Sequence, residues 1–293
     1  MRYIQKKEKF HNGSFVDKTR KTIFHKAKKS LGQNFLKSKS TLLRIIEVGE
    51  ISKRDTVLEI GPGKGALTEK ILEKSKEVIA VEKDRDLIKL LQEKFAKEIS
   101  KEKLTLLESD ILKWEIPNKK YKLIANIPYN ITGAILKKFL TAQNQPTHIV
   151  LMVQYEVAKR IMGKYNNSSK ESLLSISVKA YGKPKIVTKV PARFFSPVPK
   201  VDSAILVISD ISRSFFIRNS INEEVFWNLV KTSFAHKRKK LSHNIKRLSD
   251  AHTSFTFSIS NTPTEKRELK NEYLNKRAEE LSLEDWKKLA SLF

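Results

Sequence analysis

The stretch TVLEIGPGKGALTEKILEKSKEVIAVE, Thr56–Glu82, decides the fold. Its first five residues form a short, continuously apolar run, the pattern of a strand buried on both faces of a parallel sheet. The glycines at 61, 63 and 65 let the backbone turn tightly and let a ligand approach main-chain N–H groups. A helical segment over Ala66–Ser75 follows, and Glu77–Glu82 reads as a second strand, which completes one βαβ unit.

The alternation continues outward from there. Leu104–Glu108, Tyr121–Asn126 and His148–Val153 are further strand-like runs, with helical segments Arg85–Lys97 and Ile131–Ala142 between them. Lys185–Val190 and Ser203–Ile208 are expected to complete the sheet as an antiparallel edge pair. The fold class is therefore α/β, doubly wound. After about Asp210 only helical patterns remain. Glu223–His236 is amphipathic, with Val225, Leu229, Thr232 and Phe234 as inward candidates, and Ser282 opens a final helix with Asp285 at capping-box spacing. The divisions drawn are a basic, flexible arm over 1–30, a main domain over 31–210 and a small helical domain over 211–293.

Composition narrows the partners. The 293 residues carry 58 Lys+Arg against 32 Asp+Glu, a formal charge of +26, so a polyanion is the expected partner, nucleic acid or an anionic membrane face. The alternative is that the charge serves solubility alone. Hydrophobic residues make up 40%, enough for a core, and no apolar run approaches the ~18–20 residues of a membrane helix. No apolar stretch of the kind a secretory signal needs follows the basic N-terminal residues, and a cytoplasmic protein is the simplest reading. Cysteine is absent, which removes disulfides and Cys-ligated metals. The histidines follow no ligand spacing, so no metal is expected.

The glycine turn can be compared with known phosphate cradles. Dinucleotide sites use G-x-G-x-x-G, whereas here the spacing is G-x-G-x-G with Pro62 inside. Lys64 is followed by Gly65 rather than by Ser or Thr, so a P-loop is ruled out. Glu82 lies 21 residues beyond Gly61, at the end of the next strand, where an acid accepts hydrogen bonds from ribose hydroxyls. Asp110 follows the third strand, poised to meet an adenine amine at the same edge. An acid-flanked turn without a phosphate cradle suits S-adenosylmethionine; a nicotinamide dinucleotide, or a turn with no ligand, stays open at this point.

The fourth strand ends in Asn126-Ile-Pro-Tyr129. The proline stops the ladder and leaves Asn126 and Tyr129 at the carboxyl edge, where ligands bind in such sheets. An adenine amine is a poor nucleophile because its lone pair is delocalised into the ring. Hydrogen bonds from that amine to the Asn126 side-chain oxygen and to the Ile127 or Pro128 carbonyl would free the lone pair for attack on a sulfonium methyl. Positioning would supply most of the acceleration. Tyr129 would stack on a flipped-out base. The plainer reading is a proline turn with an Asn cap and a packed tyrosine.

Taken together with Leu31-Gly-Gln-Asn34-Phe-Leu36, these motifs resemble those of the rRNA adenine dimethyltransferases, most nearly the KsgA/RsmA type. Phe195-Ser-Pro-Val-Pro-Lys-Val-Asp-Ser203, Ser233–Leu241 and Arg277–Leu283 extend the likeness across about 25–290. The resemblance implies a Rossmann-like S-adenosylmethionine-dependent methyltransferase sheet with a small all-helical C-terminal domain. It implies Asn34 and Leu36 at the methionine portion of the cofactor and Gly61 at the glycine-turn side. Glu82 would lie at its ribose and Asp110 at its adenine, with Ile111 packed beside. Gly63 and Lys83 complete the expected cofactor set with Asn126. Phe195 is similar to the family's second aromatic near the flipped base, although its own context reads as core. Small Gly133 and Ala134 are candidates for the space a first methyl group needs.

The resemblance also implies a substrate: two adjacent adenosines near the 3′ end of 16S rRNA, in the small ribosomal subunit or its precursor. The enzyme is expected to act as a monomer, without metal or membrane. Lys237, Arg238, Lys239, Lys240, Lys246 and Arg247 form an acid-free basic run expected to clamp phosphates from a helix, although helical spacing cannot put them on one face. The rivals are an Erm-type 23S rRNA methylase and a non-catalytic ribosome assembly factor.

Overall fold

Between Thr56 and Ser209 the chain lays seven strands into one sheet. The computed structural model describes residues 27–165, 168–245 and 271–292, and the backbone of two strands before them. Those two, β1 (Ser14–Asp17) and β2 (Thr22–His25), pair antiparallel, with Phe15 opposite Phe24. The flexible arm expected over 1–30 therefore contains a hairpin; each strand has only two apolar residues in sequence, and the surrounding charge concealed it. A short β3 (Phe35–Leu36) follows, then α1 (Lys39–Val48). Ser38 starts this helix by accepting a hydrogen bond from Thr41 N, and Thr41, Leu42, Ile45 and Ile46 form its buried stripe.

The sheet is built from β4 (Thr56–Ile60), β5 (Glu77–Glu82), β6 (Leu104–Glu108), β7 (Lys122–Asn126) and β8 (His148–Gln154). Its helices are α2 (Ala66–Lys74), α3 (Arg85–Lys94), α4 (Ala96–Ser100) and α5 (Thr132–Leu140). Strand pairs β4–β5, β4–β7, β5–β6 and β7–β8 are all parallel. β4 and β5 are almost wholly buried, but β6 lies at an edge and exposes Thr105, so the two-sided burial expected of it fails there. Val57, Ile124, Val150 and Met152 on the strands pack with Ile45 of α1 and Ile71 of α2 in one core cluster. Each such fully buried side chain contributes roughly 1.5–3 kcal/mol of burial energy.

After α6 (Tyr155–Met162), the paired β9 (Lys164–Tyr165) and β10 (Ser168–Ser169), and α7 (Leu173–Lys179), the sheet resumes. It adds β11 (Lys183–Val190) and, beyond the two-residue β12 (Phe195–Ser196), β13 (Ser203–Ser209), in the order β11-β13-β8-β7-β4-β5-β6. Tyr155 N–H donates to Asp202 O at 3.0 Å, which joins the carboxyl end of β8 to the amino end of β13. Ala192 N–H donates to the Asp202 carboxylate at 2.9 Å, which joins the end of β11 to the same point. β13 therefore runs against both neighbours, and β11 lies parallel to the rest. The expected antiparallel edge pair is present, with the reversed strand on its inner side.

Two contact units emerge: one takes the chain through Tyr155 and 187–207, the other 156–186 and 208 onward. The sequence division at 210/211 did not separate 156–186, whose short helices interrupt the strand succession. In the second unit, α8 (Ser214–Arg218) precedes α9 (Glu223–Ser233), which Asn222 caps through Val225 N. α9 buries Phe226, Leu229, Val230 and Ser233. Leu229 faces inward as expected, but Val225 and Thr232 are only partly buried, because the helix packs with Phe226, Val230 and Ser233 inward beside Leu229. The helix ends at Ser233, ahead of His236, so Lys237–Lys240 occupy an exposed turn rather than the basic helix expected. Ser282 and Asp285 form the expected capping box of helix Leu283–Ala290, whose Trp286 is buried against Phe234. Among the described residues, no helix is long and apolar enough to cross a membrane.

Candidate active site

The parallel strands β4 to β7 end in register, so the turns after them share one edge of the sheet. The strand order reverses there: β5 and β7 flank β4 on opposite sides, the crevice where α/β sheets bind ligands. A cleft of about 530 Å³ opens at this point. Asn34, Leu36, Gly61, Gly63, Glu82, Lys83, Asp110, Ile111, Asn126 and Tyr129 all line it. Residues far apart in the chain are thus brought to one place, as the contact between Asn34 and Asn126, 92 positions apart, shows.

The glycine turn shapes one wall. Gly63 adopts φ 60° and its N–H donates to Glu82 Oε2 at 3.2 Å. A Cβ there would lie 3.0 Å from the Phe35 ring, so the close approach of the turn to that ring requires glycine. Gly61, at φ 64°, has nothing within 4 Å of the place a Cβ would take. Glu82 also accepts from Lys83 N at 2.8 Å and Asp84 N at 2.9 Å. Burial raises its pKa against the pull of those three donors. Asp110 receives the Lys83 ammonium at 2.9 Å and Leu112 N–H at 3.0 Å, and the lysine holds its pKa below the ordinary value.

Asn126 closes β7 at the cleft. Its Nδ2 donates to the Asn34 carbonyl at 3.0 Å, which fixes the amide and leaves Oδ1 as its acceptor end. Tyr129 starts a single turn of 3₁₀ helix, and Thr132 Oγ1 donates to its carbonyl at 3.0 Å. The Tyr129 hydroxyl pairs with Ser203 Oγ at 2.7 Å.

Four features were not read from the sequence. Glu59, in the glycine-turn motif, is 1% exposed and lines the cleft. Burial pushes its pKa up to about 8; the Thr68 hydroxyl offsets this only in part, and neither Glu59 Oε2 nor Thr68 Oγ1 has a partner of hydrogen-bond geometry. A second feature is a strap over residues 28–36. Lys28 Nζ contacts Asp84 at 2.6 Å and Asp86 at 2.8 Å, while Gln33 Nε2 donates to Asp84 at 2.7 Å. Third, Phe35 in the same strap lies under Lys64 Nζ, 5.0 Å from its ring centre. The fourth is Ser203. The only sequence signal for Gln33, Phe35 and Ser203 was their place inside quoted motifs, and Lys28 was read only as part of the basic arm.

Three expectations are corrected. Phe195 is 0% exposed, belongs to the core cluster and lies outside the cleft lining. It pairs with Leu36 between β12 and β3, and strand alternation sends Ser196 to the cleft in its stead. Gly133 and Ala134 are exposed on α5 and do not line the cleft, because the turn at Tyr129 ends before them. Lys237, Arg238, Lys239 and Lys240 are exposed in a turn of the second unit, and Lys246 and Arg247 lie outside the described residues. Among the described residues, no group of three or more His, Asp or Glu is placed to hold a metal.

The family model described as ribosomal RNA adenine dimethylase matches residues 24–281. A ribosomal RNA small subunit methyltransferase A of Dehalococcoides mccartyi is 40% identical over 273 residues, covering 90% of this chain and 87% of that protein. The protein of the same name from Fusobacterium nucleatum is 35% identical, covering 92% of this chain and 98% of its own length. Among solved structures, a dimethyladenosine transferase of Plasmodium falciparum superposes with a TM-score of 0.71 at 29% identity, covering 87% of this chain and 95% of its own. The 23S rRNA methyltransferase ErmE superposes with a TM-score of 0.68 at 25% identity, covering 88% and 99%.

Proposed function

The chain belongs to the ribosomal RNA adenine dimethylase family, and from that membership we propose that its cleft dimethylates two adjacent adenosines near the 3′ end of 16S rRNA. It is an rRNA adenine dimethyltransferase, and the proposed substrate is the small ribosomal subunit or its precursor, met in the cytoplasm. The chemistry of the cleft fits S-adenosylmethionine as methyl source. Glu82 and Asp110 offer carboxylates to hydroxyl and amine groups, Ile111 offers an apolar wall, and Glu59 leaves one buried oxygen without a partner. Of the cleft lysines, Lys83 is held by Asp110 and Lys64 stands over Phe35, so no free phosphate clamp arises from these two. When bound, the cofactor supplies a methyl group on a sulfonium, an electrophile that needs no further activation.

The observation that carries the reading is the oriented Asn126 amide. With its NH₂ end engaged by Asn34, its oxygen accepts a hydrogen from the adenine amine. The Ile127 or Pro128 carbonyl accepts the other hydrogen. In the first transfer both bonds draw the amine nitrogen toward tetrahedral geometry and release its lone pair for attack, so the site needs no strong base before transfer. The methylated nitrogen then loses a proton to solvent, and in the second transfer its one remaining hydrogen keeps one of the two bonds. The Tyr129 ring, at the same edge, stacks on the extruded base. Glu82 and Asp110 hold the cofactor side, and the exposed Lys237–Lys240 turn contributes phosphate contacts.

The experiment compares substrates. Purified full-length protein is given methyl-labelled cofactor with undermethylated small subunits or with large subunits, and the RNA is digested to nucleosides. Label in N6,N6-dimethyladenosine from the small subunit is expected. Label from the large subunit alone would assign the chain to the Erm-type reaction, and label confined to cytosine or ribose would refute the reading.

A further inference from the structure

We infer that Ser203 is a positioning residue for the methyl transfer, acting through Tyr129. The inference rests on the reading of Tyr129 as the ring that stacks on the target base. Ser203 opens β13 and is 0% exposed, so it cannot itself meet a substrate. Its hydroxyl lies 2.7 Å from the Tyr129 hydroxyl, which belongs to a different strand-end turn 74 positions away. Tyr129 is thereby held at both ends: Thr132 Oγ1 grips its carbonyl at 3.0 Å, and Ser203 grips the tip of its ring.

Two consequences follow from this geometry. The phenol hydroxyl is spent on an internal bond, and burial keeps it protonated, so Tyr129 offers the cleft its ring rather than an acid or base. A tyrosine turns about two side-chain bonds, and a base that stacks on a free ring must first order it. A ring already fixed in plane removes that entropic cost from the step that aligns the amine with the methyl group. The bond also satisfies a buried serine hydroxyl at the start of a core strand.

A double-mutant cycle tests this. Ser203→Ala, Tyr129→Phe and the double variant are assayed on undermethylated small subunits, with Ser203→Thr as the conservative control and thermal melting as the measure of folding. Each single variant is expected to lower kcat/KM for the RNA roughly three- to tenfold, the kinetic equivalent of one neutral hydrogen bond. KM for S-adenosylmethionine should stay within about twofold, the double variant should be no worse than either single one, and Ser203→Thr should recover most of the rate. Multiplying losses in the double variant, or a Ser203→Ala enzyme as fast as the parent, would overturn the inference. If Ser203→Ala fails to fold, Tyr129→Phe still breaks the same bond from the other side; an unchanged rate there would also overturn it. Tyr129→Ala separates the two levels. Full activity in that variant would sink the stacking reading itself, whereas an inactive Tyr129→Ala beside an additive cycle sinks only the role of Ser203.

Discussion

Asn126 has a polarity that only its partner reveals. The Asn34 carbonyl takes the NH₂ end, which leaves the oxygen as the end of the amide that accepts from a ligand. Asn126→Ala removes that acceptor and should cut methylation about a hundredfold or more while leaving RNA binding intact, as filter-binding and methyl-incorporation assays would report. A titratable group sits beside the same edge. Glu59 is pushed up to about 8 by burial, so between its unfolded value of 4.5 and about 8 the folded state binds the extra proton. Stability should therefore fall as pH rises through that window. Glu59→Gln should raise Tm relative to the parent at pH 8 and change it little at pH 5, a difference that melting curves would show. Asn126, Tyr129 and Glu82 were legible in the sequence because each belongs to a contiguous motif at a strand end. Ser203 and Asp84 were not, because their partners stand 74 and 51 positions away and no local pattern records such a bond.

Elements carry the next level of control. The strap 28–36 brings Asn34 and Leu36 to the cleft, and its two ion pairs and the Gln33–Asp84 bond fasten it to Asp84 and Asp86 at the start of α3, just beyond Glu82 at the end of β5. Asp84 is held below the ordinary carboxylate value: burial opposes this, and Lys28 and Gln33 prevail. Lys28→Ala should therefore loosen the strap and raise KM for S-adenosylmethionine several-fold, roughly the effect of one lost charged hydrogen bond, with kcat nearly unchanged in steady-state assays. The central strands of the sheet were legible because a strand buried on both faces is a continuous apolar run, and the first turn of helix Leu283–Ala290 because its capping box is local. The inward face of α9 was not. Adjacent residues stand about 100° apart around a helix, and which face turns inward depends on what the helix packs against.

At the scale of the whole molecule, the charge of +26 brings the protein to RNA without choosing a base. The exposed turn Lys237–Lys240 is one concentrated part of that charge. Replacing Lys237, Arg238, Lys239 and Lys240 by alanine should weaken binding to small-subunit RNA at low salt. It should also flatten the plot of log affinity against log salt by roughly two to four, with the identity of the methylated nucleoside unchanged. The amino-acid sequence by itself determined the α/β sheet, the edge at which the cleft opens and the motifs that line it. These rest on periodicity, turn chemistry and residues adjacent in the chain, all of which are local. Tertiary structure alone decided that Phe195 fills the core while Ser196 meets the cleft, that Lys28 and Gln33 fasten the strap, and that Ser203 holds the Tyr129 ring. Those outcomes depend on which distant segments pack together and on which way a side chain points once they do.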